Sequence, residues 1–263
     1  MNRLKTKIAI ACLGLASASF AVDEYLPIGQ GAWEIDVGYA GTKGTGGYDA
    51  NGDKQDVVGS PMTNAVPLQV KYGVMAGMDL ELYVPVVSNN TDAGGKAGVD
   101  RPELALKYSN ADWKTFGAYL NVVLPVGLSD YSSNPAPGTA VGLGGVYADQ
   151  FSPEFRLVGQ ASYQYSLPSG DNKNSDVFTL FAKPEYVWNA QTGTYLGLKV
   201  NAFTEGKSNG VAKGDDGYLF TVLPGLNFKQ DDKISYEVNL PVTLMGKNQS
   251  ATVGIWGSVY FTL

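Results

Sequence analysis

The sequence predicts an all-β fold, namely a transmembrane antiparallel up-and-down β-barrel of about twelve strands in an outer membrane. Three observations lead to this prediction. Apolar and polar side chains alternate with period two in twelve segments that follow residue 21. The connections between these segments are alternately short and long, and aromatic side chains gather where the short connections begin.

The alternation is clear in the first segment, where the apolar Ile35 and Val37 alternate with Glu34 and Asp36. Several segments are longer than the usual ~5–6 residues of a globular strand and approach the ~9–11 residues that cross a bilayer at a tilt. No stretch after residue 21 has the ~20 consecutive apolar residues of a membrane helix. The predicted strands lie near 33–39, 66–72, 79–86, 101–108, 116–126, 141–147, 155–167, 178–188, 195–203, 218–228, 234–244 and 252–263.

The connections alternate in length along the chain. Outer-membrane barrels have short periplasmic turns and longer external loops. An even number of strands then brings both ends of the chain to the periplasmic side. The predicted short turns are 75–78, 110–112, 149–153, 189–193 and 230–232. The predicted long loops are 41–63, 88–99, 128–138, 169–176 and 206–216, with 246–249 as a short exception among them.

Aromatic residues of the apolar parity mark the periplasmic ends of the predicted strands, as an interfacial girdle requires. A soluble β-sandwich also alternates, but it would not link strand direction, loop length and aromatic position. Prolines within the strands are the main local objection, because each removes a ladder donor. The girdle residues are Trp33, Tyr72, Tyr108, Phe116, Tyr147, Phe155, Tyr186, Trp188, Phe228, Tyr236 and Phe261; the prolines are Pro85, Pro125, Pro184, Pro224 and Pro241.

The first 21 residues have the three parts of a secretory signal peptide: a basic start, an apolar run over 8–15, and small residues before a cleavage site near Ala21. A buried N-terminal helix is the alternative. We therefore expect residues 1–21 to be a signal peptide and residues 22–263 to be the outer-membrane β-barrel of an exported Gram-negative protein. Cys12, which is the only cysteine, would be removed with the signal.

Composition argues against several classes of function. A formal charge of −6, from 19 Lys and Arg against 25 Asp and Glu, does not suit binding to nucleic acid. The absence of His removes most general-base, triad and zinc chemistry, so we expect no enzyme, no cofactor and no metal. Asp49 begins a loop that resembles a calcium site, but Lys54 replaces the sharp-turn glycine and Ser60 the final glutamate. A solvated acidic loop is the preferred interpretation.

Short motifs at the strand pairs carry a family resemblance. They are Leu68-Gln69-Val70-Lys71-Tyr72-Gly73, Leu80-Glu81-Leu82-Tyr83-Val84-Pro85-Val86, Glu103-Leu104-Ala105-Leu106-Lys107-Tyr108 and Val123-Leu124-Pro125-Val126-Gly127. These motifs resemble the outer-membrane barrel family labelled "MetA-pathway of phenol degradation", over most of residues 31–263. The chain also ends in an alternating strand with Phe261 and Leu263, similar to the last strand of outer-membrane barrels. The resemblance implies a channel for small solutes, with aromatic or apolar compounds among the candidates.

The polar parity of the strands predicts a set of thirteen charged residues, six basic and seven acidic, that line the lumen. They could form a charged, water-filled pathway that selects solutes, or a salt-bridged interior that fills a narrow barrel. The predicted lumen-lining residues are Glu34, Asp36, Lys71, Asp79, Glu81, Arg101, Glu103, Lys107, Arg156, Lys183, Glu185, Lys199 and Glu237.

Two functions remain open at this point. The first is an outer-membrane channel or transporter for small solutes. The second is a structural or surface-interaction barrel with a closed lumen, whose loops bind ligands at the cell surface. In both cases the expected partners are outer-membrane lipid, lipopolysaccharide and the barrel-assembly machinery, with a small-molecule solute added for the channel.

Overall fold

The computed structural model of the protein describes residues 26–56, 62–91, 94–110, 115–125 and 138–263. Within these ranges, the regular structure consists of β-strands, and no helix is long and apolar enough to cross a membrane. The predicted signal peptide, residues 1–21, lies outside the described residues. So do most of the predicted loop at 128–138 and two of the three residues of the predicted turn at 110–112.

The described residues form twelve barrel strands in chain order, and this confirms the predicted fold class. Two strands are each interrupted once, and short strands at Lys54–Gln55, Lys207–Ser208 and Val211–Ala212 lie in the loops. The barrel strands are β1 (Trp33–Tyr48), β2 (Met62–Met75), β3 (Met78–Thr91), β4 (Gly94–Val99 and Glu103–Tyr108), β5 (Phe116–Val123), β6 (Ala140–Ser152), β7 (Phe155–Ser166), β8 (Val177–Val187), β9 (Thr192–Phe203), β10 (Gly217–Lys229), β11 (Ile234–Asn239 and Val242–Lys247) and β12 (Ser250–Thr262).

Each strand pairs antiparallel with its neighbours in sequence, and the sheet closes because β1 pairs with β12. The closing register runs from Glu34 opposite Thr262 to Gly47 opposite Ser250, with one irregularity between Gly44 and Gly46. Closure pairs the first barrel strand with the last, so the backbone groups of both can be satisfied inside a bilayer.

The prolines mark local breaks in the ladder, as the loss of a backbone donor requires. Pro184 lies in a gap of the β8–β9 pairing, between Ala182 and Glu185. Pro241 separates the two segments of β11, and the backbone of Leu240 donates instead to the carbonyl of Pro224. The barrel therefore accommodates these residues at interruptions, without losing its closure.

The two ends of the barrel differ in their connections. At the end we call the turn end, the connections are 76–77, 109–115, 153–154, 188–191 and 230–233, and the segment 26–32 enters there. The opposite end, which we call the loop end, has the connections 49–61, 92–93, 124–139, 167–176, 204–216 and 248–249. The prediction of a loop over 88–99 is wrong in extent, because 78–91 and 94–99 pair as an extended hairpin. The predicted loop 41–63 is also shorter, because β1 continues to Tyr48.

The outer surface of the barrel is apolar, with Leu80, Leu104, Leu120 and Leu180 among its exposed side chains. Such a surface would be a liability in water, but it matches the hydrocarbon core of a bilayer. Aromatic rings gather at the turn end and form contacting pairs. These pairs are Trp33 with Tyr72, Phe116 with Tyr147, Tyr186 with Trp188, and Phe228 with Tyr236.

The connections 167–176 and 204–216 at the loop end are joined by hydrogen bonds. Asp176 accepts hydrogen bonds from the backbone of Ser166, the hydroxyl of Tyr163 and the ammonium of Lys173. Asp215 accepts from the hydroxyl of Ser175 at 3.1 Å. The carboxylates at this end therefore organise the loop backbone.

Candidate functional site

The interior of the barrel is polar, since the residues of the second parity on each strand face inward. Glu103 is 2% exposed, whereas its neighbour Leu104 is 42% exposed, and this is the contrast that alternation produces. Of the thirteen charged residues selected from the sequence, Glu34, Arg101 and Arg156 are partly buried. The other ten are buried: Asp36, Lys71, Asp79, Glu81, Glu103, Lys107, Lys183, Glu185, Lys199 and Glu237.

One cluster of charges lies on the inner wall formed by β2, β3 and β4. The ammonium of Lys107 is 2.7 Å from Oε1 of Glu81, and the amide of Gln69 donates to Oε2 of Glu81 at 3.2 Å. Nearer the turn end, Lys71 lies 2.6 Å from Glu34 of β1. The strand register brings these residues together, because Lys71 is directly opposite both Glu34 and Glu81.

A second cluster lies on the inner wall of β8 to β11. Lys183 is 3.5 Å from Glu237, and its ammonium is also 4.8 Å from the centre of the Tyr195 ring. The Tyr195 hydroxyl donates to Glu237 at 2.5 Å and accepts from the amide of Asn239 at 3.0 Å. Three strands, β8, β9 and β11, thus contribute to one buried network, although residues 183 and 237 are far apart in sequence.

Two inward carboxylates are also held by neutral donors. The amide of Asn121 donates to Glu103, and the hydroxyl of Ser258 donates to Asp36, both at 2.5 Å. The selection of charged residues alone missed Asn121, Ser258 and Tyr195. Their inward parity was available in the sequence, and it would have found them had neutral polar residues been included.

Arg156, Glu185 and Arg101 lie outside the two clusters. Arg156 and Glu185 approach to 4.0 Å near the turn end, where the amide of Asn227 donates to Glu185 at 2.8 Å. Arg101 lies in the interruption of β4, with its side chain 3.7 Å from Asp100. Its backbone has a φ of +39°, which breaks the regular strand at this position.

Inward-facing glycines make room for the large side chains that fill the interior. Tyr119 of β5 is opposite Gly144 of β6, and a Cβ added to this glycine would collide with the Tyr119 ring. Tyr195 lies over Gly225 in the same way. The pairing of large with small residues across neighbouring strands explains how a narrow barrel holds so many long side chains.

A cavity of about 790 Å³ opens at the turn end beneath the charged clusters. Its wall includes Lys71, Arg156, Glu185 and Glu237 from the interior. The turn 230–233 contributes three further charged residues, Asp231, Asp232 and Lys233. The cavity has the size of a small-molecule site and carries charges of both signs.

The described residues contain no group of three or more metal-ligating side chains. The loop that begins at Asp49 is organised by its own hydrogen bonds. Backbone donors, with that of Asp53 first, lower the pKa of Asp49, whose Oδ1 accepts from Asn51 and Asp53. One of its carboxylate oxygens is thus engaged by the loop backbone, whereas Ser60 of the same motif lies outside the described residues.

A closed antiparallel barrel with an apolar outer surface, a polar interior and an aromatic girdle defines the chain as an outer-membrane β-barrel. Known structures support this class. The crystal structure of the COG4313 outer membrane channel from Pseudomonas putida F1 superposes with a TM-score of 0.78 at 17% identity, and covers 92% of this chain and all of that one. The NanC porin gives a TM-score of 0.55 at 11% identity, with 87% of this chain and all of that chain covered.

The ΔS2S3 mutant of the monoaromatic hydrocarbon channel TodX gives a TM-score of 0.51 at 10% identity, covering 89% of this chain and 91% of that chain. No protein-family model and no curated protein matches the sequence. At these identities the similarity establishes the fold, and it confirms the resemblance to outer-membrane barrels at that level.

Proposed function

We propose that this protein is an outer-membrane channel for small solutes. The observation that carries the proposal is the layer of buried ionisable side chains inside the barrel, directly above the cavity at the turn end. Ionisable groups at membrane depth are costly, and they typically mark pathways for ions or solutes. The cavity gives this layer an access route from the turn end.

The solute class follows from the interior surface. The Lys183–Glu237 pair lies beside the ring of Tyr195, so a solute would meet polar groups and an aromatic face together. Small aromatic or apolar compounds that carry a polar group suit this surface. The name of TodX, a monoaromatic hydrocarbon channel, supports aromatic compounds as the first solutes to test.

A barrel with a closed lumen is the second candidate, and one observation favours it. The side chains of Lys107, Glu81 and Lys183 are at most 1% exposed, so side chains fill the middle of the barrel. In that case the loops at the loop end would carry the function by binding ligands at the cell surface. The two candidate functions differ in whether the buried charged side chains move to let a solute pass.

We further propose that export follows cleavage of a signal peptide near Ala21, and that passage through the barrel involves no catalysis. Outer-membrane lipid, lipopolysaccharide and the barrel-assembly machinery are the proposed partners of the folded chain, and nucleic acid is not among them. Fractionation should recover the protein with the detergent-extractable outer membrane, and a folded barrel should migrate faster on a gel before heating. Recovery in the soluble periplasm would contradict the assignment.

Conductance of the purified full-length protein in planar bilayers tests the channel. We expect discrete single-channel steps, and a reduced current when a small aromatic solute enters the path. Uptake of aromatic solutes by cells with and without the protein gives an independent measure. The absence of both conductance and uptake, in a protein shown to be folded by heat-modifiable migration, would favour the closed barrel.

A further inference from the structure

We propose that residues 26–31, here called the N-terminal segment, bind inside the barrel at the turn end and partly close the lumen there. The inference rests on the proposed channel function, since it concerns the mouth of that channel. The segment precedes β1 and turns back along the inner wall, where it crosses β2, β3 and β5.

The first contact is with Gly73, which faces inward near the end of β2. The backbone of Gly31 donates to the carbonyl of Gly73 at 2.8 Å, and the backbone of Gly73 donates to Ala32 at 3.0 Å. A Cβ at position 73 would collide with the carbonyl oxygen of Gly29, so the segment occupies the place of a side chain. Gly31 has a φ of +76°, and this allows the sharp reversal from the segment into β1.

The second contact is with Asp79 of β3. The backbone of Ile28 donates to Oδ2 of this carboxylate at 3.0 Å, and Asp79 is 0% exposed. The other oxygen, Oδ1, is buried and accepts no hydrogen bond from the described residues. Burial of an incompletely bonded carboxylate is unfavourable. Release of the segment would let water hydrate Asp79, and this hydration would offset part of the free energy lost with the contacts of the segment.

The third contact is with Gly117 of β5, where the Leu26 side chain would be 3.3 Å from an added Cβ. Leu26 and Ile28 also form part of the cavity wall, which continues on the far side through Arg156, Glu185 and Glu237. The segment therefore covers one side of the turn-end mouth and leaves the cavity open on the other. Its displacement would widen the mouth and uncover the carboxylate of Asp79.

Two variants of the full chain test this arrangement in opposite directions. Gly73→Ala places a methyl group where Gly29 now lies, and should displace the segment. We expect a higher single-channel conductance and a reversal potential shifted toward cations, because Asp79 then faces the path. Gly145→Ala is the matched control. Apart from its two neighbours in the chain, the nearest atom to the added Cβ would be the carbonyl oxygen of Gly117, at 3.7 Å.

The second variant, Leu26→Cys with Gly117→Cys, should hold the segment in place by a disulfide. The native Cys12 lies in the expected signal peptide and does not compete if that peptide is removed. We expect the oxidised protein to lose its larger conductance states and to regain them on reduction. This pair does not involve Gly73, so it tests the inference even if Gly73→Ala fails to fold.

Three outcomes would overturn the inference. A disulfide that does not form in the folded barrel would show that the segment is not bound at Gly117. The disulfide could form without changing the conductance, and the Gly73→Ala channel could conduct like the Gly145→Ala channel. These two results together would show that the segment does not restrict the path, and the proposed channel function would be unaffected. A third variant lacks residues 26–30. If neither this variant nor any other conducts, the channel function and the closure are both contradicted.

Discussion

Lys107 and Glu81 form an ion pair of 2.7 Å inside the barrel, where neither side chain is more than 1% exposed. They lie on the adjacent strands β4 and β3, two residues out of direct register, since Asp79 is opposite Lys107 and Ala105 is opposite Glu81. Two charges removed from water are tolerated only because each compensates the other, and further hydrogen bonds complete the site.

We expect Lys107→Met to destabilise the barrel by about 3–5 kcal/mol, because it leaves the Glu81 carboxylate buried without its cation. The double variant with Glu81→Gln should recover most of this loss. Urea unfolding in lipid vesicles measures both values. Lys229→Met is the control, because its 2.7 Å pair with Asp232 is exposed at the turn end and should leave stability unchanged. Equal losses in the single and double variants would show that the pair is not coupled.

The inward and outward faces of β4 can be separated at Glu103 and Leu104. Leu104→Arg places a charge on the lipid face and should cost about 2–4 kcal/mol if the site lies near the middle of the bilayer. Glu103→Gln keeps the shape of the side chain next to Asn121 and should cost less. Vesicle unfolding of the two variants decides the parity. A larger loss for Glu103→Gln than for Leu104→Arg would argue against a lipid-facing Leu104.

The glycines of the interior should be intolerant of added volume. Gly144→Ala would place a methyl group in collision with the Tyr119 ring, and overpacking of this kind typically costs about 1–3 kcal/mol. Gly145→Ala, one residue along β6 on the outer face, should be close to neutral. The measurement is again the free energy of unfolding in vesicles. If the two alanines cost the same, the inward glycines are not needed to accommodate Tyr119.

The loop end should respond to acid through Asp176. Partial burial raises the pKa of this carboxyl, but donors from Lys173, Ser166 and Tyr163 together outweigh burial and lower the pKa below its usual value. Because the folded-state pKa is depressed, Asp176 contributes stability above its unfolded pKa of ~3.9, and this contribution is lost as the pH falls through the folded value.

Limited proteolysis of the connection 167–176 at decreasing pH should therefore show increased cleavage only below about pH 4, where this carboxyl begins to protonate. Asp176→Asn should show that cleavage already at neutral pH. Asp232→Asn is the control, because its carboxylate pairs with Lys229 at the other end of the barrel. A pH profile unchanged by Asp176→Asn would assign the acid response to another group.

The orientation of the barrel follows from its connections, since outer-membrane barrels place their longer loops outside the cell. An epitope inserted between Asn51 and Gly52, in a turn at the loop end, should bind antibody on intact cells. The same epitope in 230–233 should bind only after the outer membrane is permeabilised. Labelling of the second site alone on intact cells would reverse the assigned direction.

The sequence alone was sufficient for the class of fold. A side-chain period of two, as in Glu34 to Tyr39, is a local property of a strand with one face in lipid and one in the interior. Loop lengths and aromatic positions then distinguished a membrane barrel from a soluble sandwich. Strand ends were harder to predict, because β1 continues through a glycine-rich stretch to Tyr48 and the predicted loop 88–99 pairs as strands.

What the tertiary structure decided is which inward side chains meet. Lys183 contacts Glu237 and Tyr195 because barrel closure brings β8, β9 and β11 around one interior. No local sequence pattern encodes the contact between Lys183 and Glu237, which are 54 residues apart. The same holds for the N-terminal segment, whose binding depends on the space left by Gly73 and Gly117 on separate strands. Alternation fixes the face on which a residue lies, but contacts inside the barrel also depend on its register and closure, which arise only when all the strands are paired.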